Sequence, residues 1–344
     1  MKFEEVEQYG FGTFKQPEKI NSLEGYPKIE GWNFDNRFEY DKFVKQLNST
    51  GLQATNLGKG IEITRTMIRE KAEIYLTFTS NAISSGTREI ICWLCKHKKV
   101  KAIVTSAGGI EEDIIKCFKP FVIGEFTDRG RELFEQGINT IGNIFVPNDR
   151  YIYYDKFMKE VFLDLYERYT KQKKRLSVSN FIKELGLKIN NEESYLYWCA
   201  KNNISVFCPA ITDGSTGDLM VFFKQQHQDF EIDIVDDIYK MTRMVSDSEK
   251  SGIICLGGGS PKHAIMNANI FREGADYAVI INTHEGYDGS DSGAPISESI
   301  TWAKIKKNAP AVKINCDFSI AFPILVSQTF AQPFLEKRVD PKNK

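Results

Sequence analysis

The stretch that decides the fold is IICLGGGSPKHAIMNANI, residues 253–270. It opens with an apolar run, passes through three glycines, and then carries His263 and Asn267 four positions apart, as on one face of a helix. A short, fully apolar run is typical of a parallel strand, because both faces of such a strand are covered. The stretch therefore predicts one strand–loop–helix unit.

Five further stretches repeat this pattern along the chain. Their apolar runs lie at residues 74–78, 102–104, 206–210, 277–282 and 312–316, and each leads through a polar loop into a helical segment. Six such units predict an α/β fold with a mainly parallel, doubly wound (Rossmann-like) sheet and helices on both faces. Ligands of such sheets bind beyond the carboxyl ends of the strands, where these polar loops lie.

The rest of the chain predicts less regular features. Residues 1–40 predict an N-terminal arm, residues 41–335 a single domain, and residues 336–344 a polar C-terminal tail. Residues 126–203 predict mostly helices, with Ser179 as the cap of one of them. The charge-free residues 318–335 predict one buried helix, because prolines and polar side chains interrupt them and argue against a membrane span.

Composition excludes several classes of protein. The chain has 344 residues with 45 basic and 46 acidic side chains, so its net charge of −1 argues against a nucleic-acid-binding protein. A hydrophobic content of 42% argues against a largely disordered chain. Residues 1–9 mix one lysine with three glutamates, unlike a signal peptide. We therefore expect a soluble protein that binds neither membrane nor nucleic acid.

The cysteines predict a reducing compartment. There are seven, an odd and unclustered set, which indicates reduced thiols and a cytoplasmic location. Cys92 and Cys95 form a Cys-x-x-Cys pair. We interpret them as two small buried residues on one helix face, because a zinc site would need two further ligands and only His97 is near in sequence. No metal site is predicted.

Acidic residues are concentrated in the loops at the strand ends. Residues 273–303 contain no lysine or arginine but six acids: Glu273, Asp276, Glu285, Asp288, Asp291 and Glu298. Such a cluster repels itself unless a cation or a hydrogen-bonded hydroxyl lies among the carboxylates. The segment from Asp288 to Asp291 favours a cationic ligand, with magnesium as the alternative. Helix capping is the simpler explanation for Glu111 and Asp113.

Lys304 ends the base-free stretch, on the predicted helix that also carries Trp302. One interpretation is an ordinary surface lysine, as Lys306 and Lys307 are expected to be. The other is an inward-facing lysine that Trp302 helps to remove from water. Imine chemistry requires a neutral amine, which burial favours.

Two glycine loops and one histidine complete the candidate site. The loops at residues 107–109 and 257–259 each join a strand to a helix, where bare backbone can approach a phosphate. Neither loop matches the G-x-G-x-x-G fingerprint, so a dinucleotide is a hypothesis only. His263 is either a general base or a histidine bonded to a backbone carbonyl.

Six stretches together resemble deoxyhypusine synthase, over about residues 51–332. They are residues 79–86 (TSNAISSG), 105–113 (TSAGGIEED), 209–218 (PAITDGSTGD), 256–269 (LGGGSPKHAIMNAN), 288–294 (DGSDSGA) and 302–305 (WAKI). The resemblance implies NAD-dependent transfer of the aminobutyl group of spermidine to a lysine of the translation initiation factor 5A precursor. It also implies a homotetramer whose active sites lie between paired subunits.

The resemblance implies roles for individual residues. Lys304 is the expected nucleophile, which forms an imine with the butylamine moiety, and His263 is the expected base. The expected spermidine contacts are Glu111, Glu112, Asp218, His263, Asn267, Gly289, Ser290, Asp291, Glu298 and Trp302. The expected NAD contacts are Ser80, Asn81, Ala82, Ile83, Ser84, Ser106, Ala107, Gly108, Glu112, Asp213, Gly258, Thr283, His284, Asp317 and Phe318.

Three positions depart from the family pattern. His284 and Phe318 stand where alanine is usual, and Ala303 replaces the glycine usually found before the nucleophile. Two other functions remain open. One is homospermidine synthase, which uses the same scaffold but accepts putrescine. The other is a non-catalytic regulatory subunit, although the presence of Lys304 argues against it.

Overall fold

The computed structural model describes residues 23–339. In chain order its strands are β1 (Glu73–Phe78), β2 (Ala102–Thr105), β3 (Val122–Ile123), β4 (Ile138–Ile141), β5 (Ile144–Pro147), β6 (Ser205–Phe207), β7 (Ser251–Leu256), β8 (Tyr277–Asn282) and β9 (Ala311–Asn315). Six of them form one sheet in the order β6-β2-β1-β7-β8-β9, and every pairing in it is parallel. The predicted α/β fold is therefore confirmed.

The helices follow the strands or connect them. They are α1 (Tyr40–Thr50), α2 (Leu52–Arg69), α3 (Asn81–Ser84), α4 (Thr87–Lys96), α5 (Ala107–Phe118), α6 (Gly130–Glu135), α7 (Asp149–Leu165), α8 (Val178–Ile189), α9 (Tyr195–Asn202), α10 (Ser215–Gln226), α11 (Ile234–Ser246), α12 (Gly259–Ile270), α13 (Ile296–Thr301), α14 (Phe318–Ser327) and α15 (Gln332–Val339). A π-helical turn, Tyr166–Thr170, extends α7.

Helices cover both faces of the main sheet. Alternate residues of a strand point to opposite faces, and the strands accordingly contribute to two separate core clusters. Leu76 and Ile254 pack in one cluster with residues of α5, α9 and α14. Tyr75 and Ile253 pack in the other with residues of α11 and α12. Burial on both faces explains why these strands are apolar at nearly every position.

A second, smaller sheet corrects the prediction for residues 126–203. The strands β3, β5 and β4 form a three-stranded antiparallel sheet in a region predicted to be mostly helical. Its strands are two to four residues long, too short for a clear alternating pattern. Gly142, with φ of 58°, and Asn143 form the turn between β4 and β5.

Two helix boundaries also differ from the predictions. The cap of α8 is Ser177, which accepts a hydrogen bond from the Asn180 N–H, whereas Ser179 donates to Asp237. Residues 318–335, predicted to form one helix, instead belong to two helices, α14 and the start of α15. Pro333 lies in the first turn of α15, where the absence of an N–H is tolerated, and it prevents a continuous helix.

The predicted arm and tail lie partly outside the described residues. Residues 1–22 of the predicted arm and residues 340–344 of the predicted tail lie outside the described residues. Residues 336–339 of the predicted tail belong to α15, which ends at Val339. Between residues 23 and 339, no helix is both long and apolar enough to cross a lipid bilayer.

Candidate active site

The loops after β1 and β7 meet at the carboxyl edge of the sheet. The chain builds β2 and β6 on one side of β1 and then returns to place β7 on the other, so the strand order reverses here. The Thr79 N–H donates to the carbonyl of Leu256 at 3.3 Å. Gly257 has φ of 86°, and a Cβ there would lie 2.6 Å from Thr79 Oγ1. This close approach at the reversal point requires a glycine, and ligands of doubly wound sheets bind at such points.

Two predicted cofactor segments lie side by side at this edge. Residues 80–84 follow β1 and residues 106–108 follow β2. A Cβ on Gly108 would lie 2.7 Å from the Cβ of Ser80. The two loops therefore touch at Gly108, where the loop after β2 has no side chain. Three side chains of these segments are fully buried and leave only backbone for a ligand: Ala82, Ile83 and Ala107.

Glu112 is a buried carboxyl beside these loops. It is 6% exposed and accepts a hydrogen bond from the Ser84 hydroxyl. Burial, together with the neighbouring Glu111 carboxylate, raises the pKa of Glu112 to about 8, although the Ser84 hydroxyl opposes the shift. A carboxyl that titrates near neutrality gains full charge when a cation binds beside it.

Asn282, the last residue of β8, joins the glycine loop to the loop after β8. Its Nδ2 donates to the carbonyls of Gly257 at 3.0 Å and Ser292 at 3.1 Å. Ser292 Oγ in turn accepts from the Gly259 N–H at 2.8 Å. A Cβ on Gly258 would lie 2.5 Å from Ser292 Oγ, so the predicted contact at Gly258 is a place where backbone alone fits.

The other predicted cofactor residues lie at the remaining strand ends. Four of them are exposed: Asp213, Thr283, His284 and Asp317. The Asp317 carboxylate also caps α14 by accepting from the Ser319 N–H at 2.8 Å. Phe318 is 7% exposed and packs in the core. Its ring therefore occupies core space that the alanine usual in the family would leave.

Two acids cap helices other than their own. Glu111 accepts from both the N–H and the hydroxyl of Thr216, each at 2.9 Å, at the start of α10. Asp113 accepts from the Leu196 N–H at 3.3 Å at the start of α9, and it also pairs with Arg88. The helix-capping explanation therefore describes both acids. Glu111 was also predicted to contact spermidine, and its Oε2 already accepts these two hydrogen bonds from Thr216.

Lys304 faces inward and is ion-paired. Its Nζ lies 3.0 Å from Asp291 Oδ1, and its side chain is 9% exposed. On the other side, Lys262 Nζ lies 3.3 Å from Asp291 Oδ2, and the Lys262 side chain is fully buried. Burial alone would raise the pKa of Asp291, but the two ammonium groups outweigh it and hold that pKa below its usual value. The surface-lysine interpretation of Lys304 is therefore wrong.

The turn before Lys304 differs from the prediction. The helix α13 ends at Thr301, so Trp302 and Lys304 lie beyond it. Ala303 has φ of 52°, a left-handed conformation that costs an alanine about 1–2 kcal/mol and a glycine much less. This turn explains why the family usually has glycine there. Trp302 is 64% exposed, so burial of Lys304 depends on other side chains.

His263 and Asn267 share one face of α12, as predicted. His263 Nδ1 lies 3.2 Å from Asn267 Nδ2, so its partner is this side chain rather than a backbone carbonyl. The imidazole is exposed at the surface of the chain. A histidine oriented by an amide on the same helix can exchange a proton with a ligand above that face.

The other predicted spermidine contacts lie on several elements: Gly289 and Ser290 precede Asp291 in its loop, Glu298 lies on α13, and Asp218 lies on α10, which follows the edge strand β6. Gly289, with φ of 73°, and Ser290 lie in an exposed loop, and the Ser290 N–H donates to Asp288 at 2.8 Å. Within residues 23–339, no hydrogen bond or ion pair engages the carboxylate of Asp218 or Glu298. Both carboxylates therefore remain available to a cation.

Three residues of the site were not singled out from the sequence. Lys262 lies inside a quoted motif, Asn282 ends a predicted strand, and Lys313 is a charge within a buried strand, which was a usable signal. Lys313 Nζ donates to the carbonyls of His284 at 2.7 Å and Gly293 at 2.5 Å. All three side chains orient the loop that carries Asp291.

Known proteins resemble the chain over nearly its whole length. The family model for deoxyhypusine synthase matches residues 42–329. Homospermidine synthase 2 of Senecio vernalis is 44% identical and covers 95% of each chain. Deoxyhypusine synthase of the same plant is 45% identical, over 93% of this chain and 92% of the relative.

A solved structure supports the same assignment. The crystal structure of a "putative deoxyhypusine synthase" from Entamoeba histolytica superposes with a TM-score of 0.63 at 33% identity, covering 88% of this chain and 97% of the other. Sequence and fold thus agree over most of the chain. The chain therefore belongs to the deoxyhypusine synthase family of transferases.

Proposed function

We propose that the chain transfers the 4-aminobutyl group of spermidine to one lysine of the translation initiation factor 5A precursor and so forms deoxyhypusine, with NAD as cofactor. The observation that carries the proposal is the buried pair of Lys304 with Asp291, at 3.0 Å, among strand-end acids. An amine held out of water beside cation-binding carboxylates suits imine chemistry on a polyamine, because water hydrolyses imines.

The residues at the carboxyl edge fit NAD. Gly108 and Gly258 lie where a Cβ would come within 2.7 Å of Ser80 and 2.5 Å of Ser292, so the backbone is bare in the loops after β2 and β7, the two strands that flank β1. Such loops suit a pyrophosphate, and the exposed Asp213 and Asp317 suit ribose hydroxyls. When bound, NAD supplies hydride transfer to and from the substrate carbon.

Spermidine is the substrate that matches the acids. Within residues 23–339, no ion pair engages the carboxylate of Asp218, Glu298 or Glu112. Asp291 contacts the nucleophile Lys304, and the exposed His263 follows Lys262, the other lysine that pairs with Asp291. Carboxylates of this kind suit a polyamine, because a desolvated ammonium without a carboxylate partner is costly.

The proposed chemistry assigns a role to each reactive side chain. His263 accepts the proton lost from the secondary amine of spermidine as the adjoining carbon is oxidised to an imine. The Lys304 amine adds to that carbon, the bond to the departing nitrogen breaks, and diaminopropane leaves. The target lysine then adds to the same carbon and displaces Lys304, and reduction of the new imine completes the transfer.

Homospermidine synthase is the second candidate function. It is favoured by the relatives, because the two enzymes of Senecio vernalis are 44% and 45% identical to this chain and so do not separate the activities. Turnover with putrescine and with the translation factor precursor, measured on one preparation, distinguishes them. A preference for putrescine would contradict the protein-lysine acceptor.

We further propose a homotetramer in the cytoplasm, with active sites between paired subunits. An exposed apolar surface supports such an assembly. We call it the α10–α11 face, and it consists of Val221, Phe222, Ile234, Val235, Ile238 and Tyr239. It adjoins a groove of about 480 Å³ that Asp218 also lines. A partner subunit seated there would cover Asp218. The seven free thiols suit a reducing compartment.

The test is mass spectrometry of the purified chain after incubation with spermidine, NAD and borohydride. We expect a reduced butylamine adduct on Lys304 and none in Lys304→Ala, and we expect that variant still to cleave spermidine when NAD is bound. Lys307→Ala, an exposed lysine three residues away, is the matched control and should keep the adduct. No adduct in the wild-type chain would contradict the function and favour a regulatory subunit.

A further inference from the structure

Lys262 is a fully buried lysine with no part in the proposed reaction. It lies on α12 immediately before His263, and its side chain has no exposed surface. Lysine is almost never buried completely unless its charge is paired. Here the ammonium reaches both the carboxylate and the backbone carbonyl of Asp291. Its burial is therefore explained by one residue, the aspartate that also holds Lys304.

Asp291 is shared between two ammonium groups. Lys304 Nζ lies 3.0 Å from Oδ1, and Lys262 Nζ lies 3.3 Å from Oδ2. A third cation, Lys313, donates to the carbonyl of Gly293 in the same loop, and burial, followed by the charge of Lys262, lowers the pKa of Lys313. A carboxylate that binds one ammonium holds it more strongly than a carboxylate whose charge is opposed by a second cation.

We propose that Lys262 is a positioning residue for the nucleophile. It orients Asp291 by donating a hydrogen bond to its backbone carbonyl and by an ion pair at Oδ2, which accepts no hydrogen bond within residues 23–339. The same ion pair weakens the hold of the carboxylate on Lys304. The Lys304 amine can then leave the ion pair and react, while Oδ1 still directs it. The inference rests on the proposed function, in which Lys304 is the nucleophile.

The test measures the reactivity of Lys304 with and without its natural substrate. The full-length protein with NAD is treated with formaldehyde and cyanoborohydride, which methylate reactive amines, and labelling of Lys304 is followed by peptide mass spectrometry. The proteins compared are wild type, Lys262→Met, Asp291→Asn and the double variant. The same preparations are tested for the spermidine adduct. Lys306→Met is the matched control, because Lys306 forms a similar pair with Asp276 at 2.6 Å.

We expect Lys262→Met to slow methylation of Lys304 by about tenfold, within the range of coupling between contacting groups. Asp291→Asn should label at least as fast as wild type, and the double variant should behave like Asp291→Asn, because Lys262 then has no carboxylate through which to act. A purely structural role would instead make the two changes additive. Lys306→Met should leave the labelling of Lys304 unchanged.

Several results would overturn the role of Lys262. One is methylation of Lys304 at the wild-type rate in a folded Lys262→Met protein. Another is slow methylation of Lys304 in the double variant. If Lys262→Met does not fold, Lys262→Gln, which keeps a donor for the Asp291 carbonyl, carries the same expectation. Slower labelling of Lys304 in Asp291→Asn would overturn the role on its own. A missing spermidine adduct in wild type contradicts the proposed function instead, and the methylation ratios still decide the role of Lys262.

Discussion

At the scale of single residues, Glu112 links the site to pH. Its pKa is about 8 in the folded chain against 4.5 for an ordinary glutamate. Between these values the unfolded chain has released the proton and the folded chain has kept it. The unfolded state then binds fewer protons, so the free energy of unfolding falls as the pH rises, by about 1.4 kcal/mol per pH unit from this group. Below pH 4.5 both states are protonated and the contribution is constant.

Replacing Glu112 by glutamine should remove this dependence. We expect Glu112→Gln to flatten the fall in unfolding free energy between pH 5 and 8, and to be more stable than wild type at about pH 8. Urea unfolding at a series of pH values measures it. Glu193→Gln, at an exposed position, is the control and should keep the wild-type slope. An unchanged slope in Glu112→Gln would show that another group causes the dependence.

The sequence identified the residues of the site better than their partners. Lys304, Asp291 and His263 follow from motifs, but the pairing of Asp291 with Lys262 depends on how α12 packs against the loop after β8. A buried lysine and an exposed one look alike in a single sequence. The left-handed turn at Ala303 was also hidden, because alanine gives no local sign of a positive φ.

At the scale of elements, the loop between β8 and α13 is held by side chains rather than by secondary structure. Lys313 bonds the carbonyls of His284 and Gly293 at the two ends of the loop. The ends also approach closely, because a Cβ on Gly293 would lie 1.7 Å from the carbonyl oxygen of Glu285. The two ends of the segment that carries Asp291, residues 284–285 and 293, are therefore held together, and we call this contact the neck of the loop.

Removing the Lys313 ammonium should loosen this loop. We expect Lys313→Met to raise hydrogen exchange in residues 284–293 and the KM for spermidine by several-fold, because two carbonyls lose their donor. Exchange in β8 and β9 should change little. Lys307→Met is the matched control. If exchange in the loop of Lys313→Met equals that of wild type, then Lys313 does not close the neck.

Elements were predictable where the pattern was long enough. All six strand–loop–helix units were found, because parallel strands buried on both faces are apolar throughout. The antiparallel sheet was missed, although Gly142-Asn143 between two short apolar runs is a hairpin signal. The single helix predicted over residues 318–335 failed because Pro333 favours a helix start.

At the scale of the whole molecule, the exposed α10–α11 face predicts dependence on assembly. We expect Phe222→Asp to reduce the molecular mass in solution and to lower the activity in parallel, because a buried unpaired carboxylate opposes an apolar interface. Size-exclusion chromatography with light scattering measures it. Phe134→Asp, on α6, is the control and should keep the wild-type mass. A wild-type mass for Phe222→Asp would place the subunit contact elsewhere.

The position of β1 in the main sheet has a consequence for biosynthesis. One edge of β1 pairs with β2, which is synthesised soon after it. The other edge pairs with β7, which begins to pair at Ser251 and is synthesised much later. The ribosome adds roughly 170 residues between the two strands, which takes about 10–30 s at typical elongation rates. During that interval a nascent chain displays an unpaired apolar strand, which invites aggregation. We therefore expect newly made chains to depend on chaperones, because of the order in which the strands emerge.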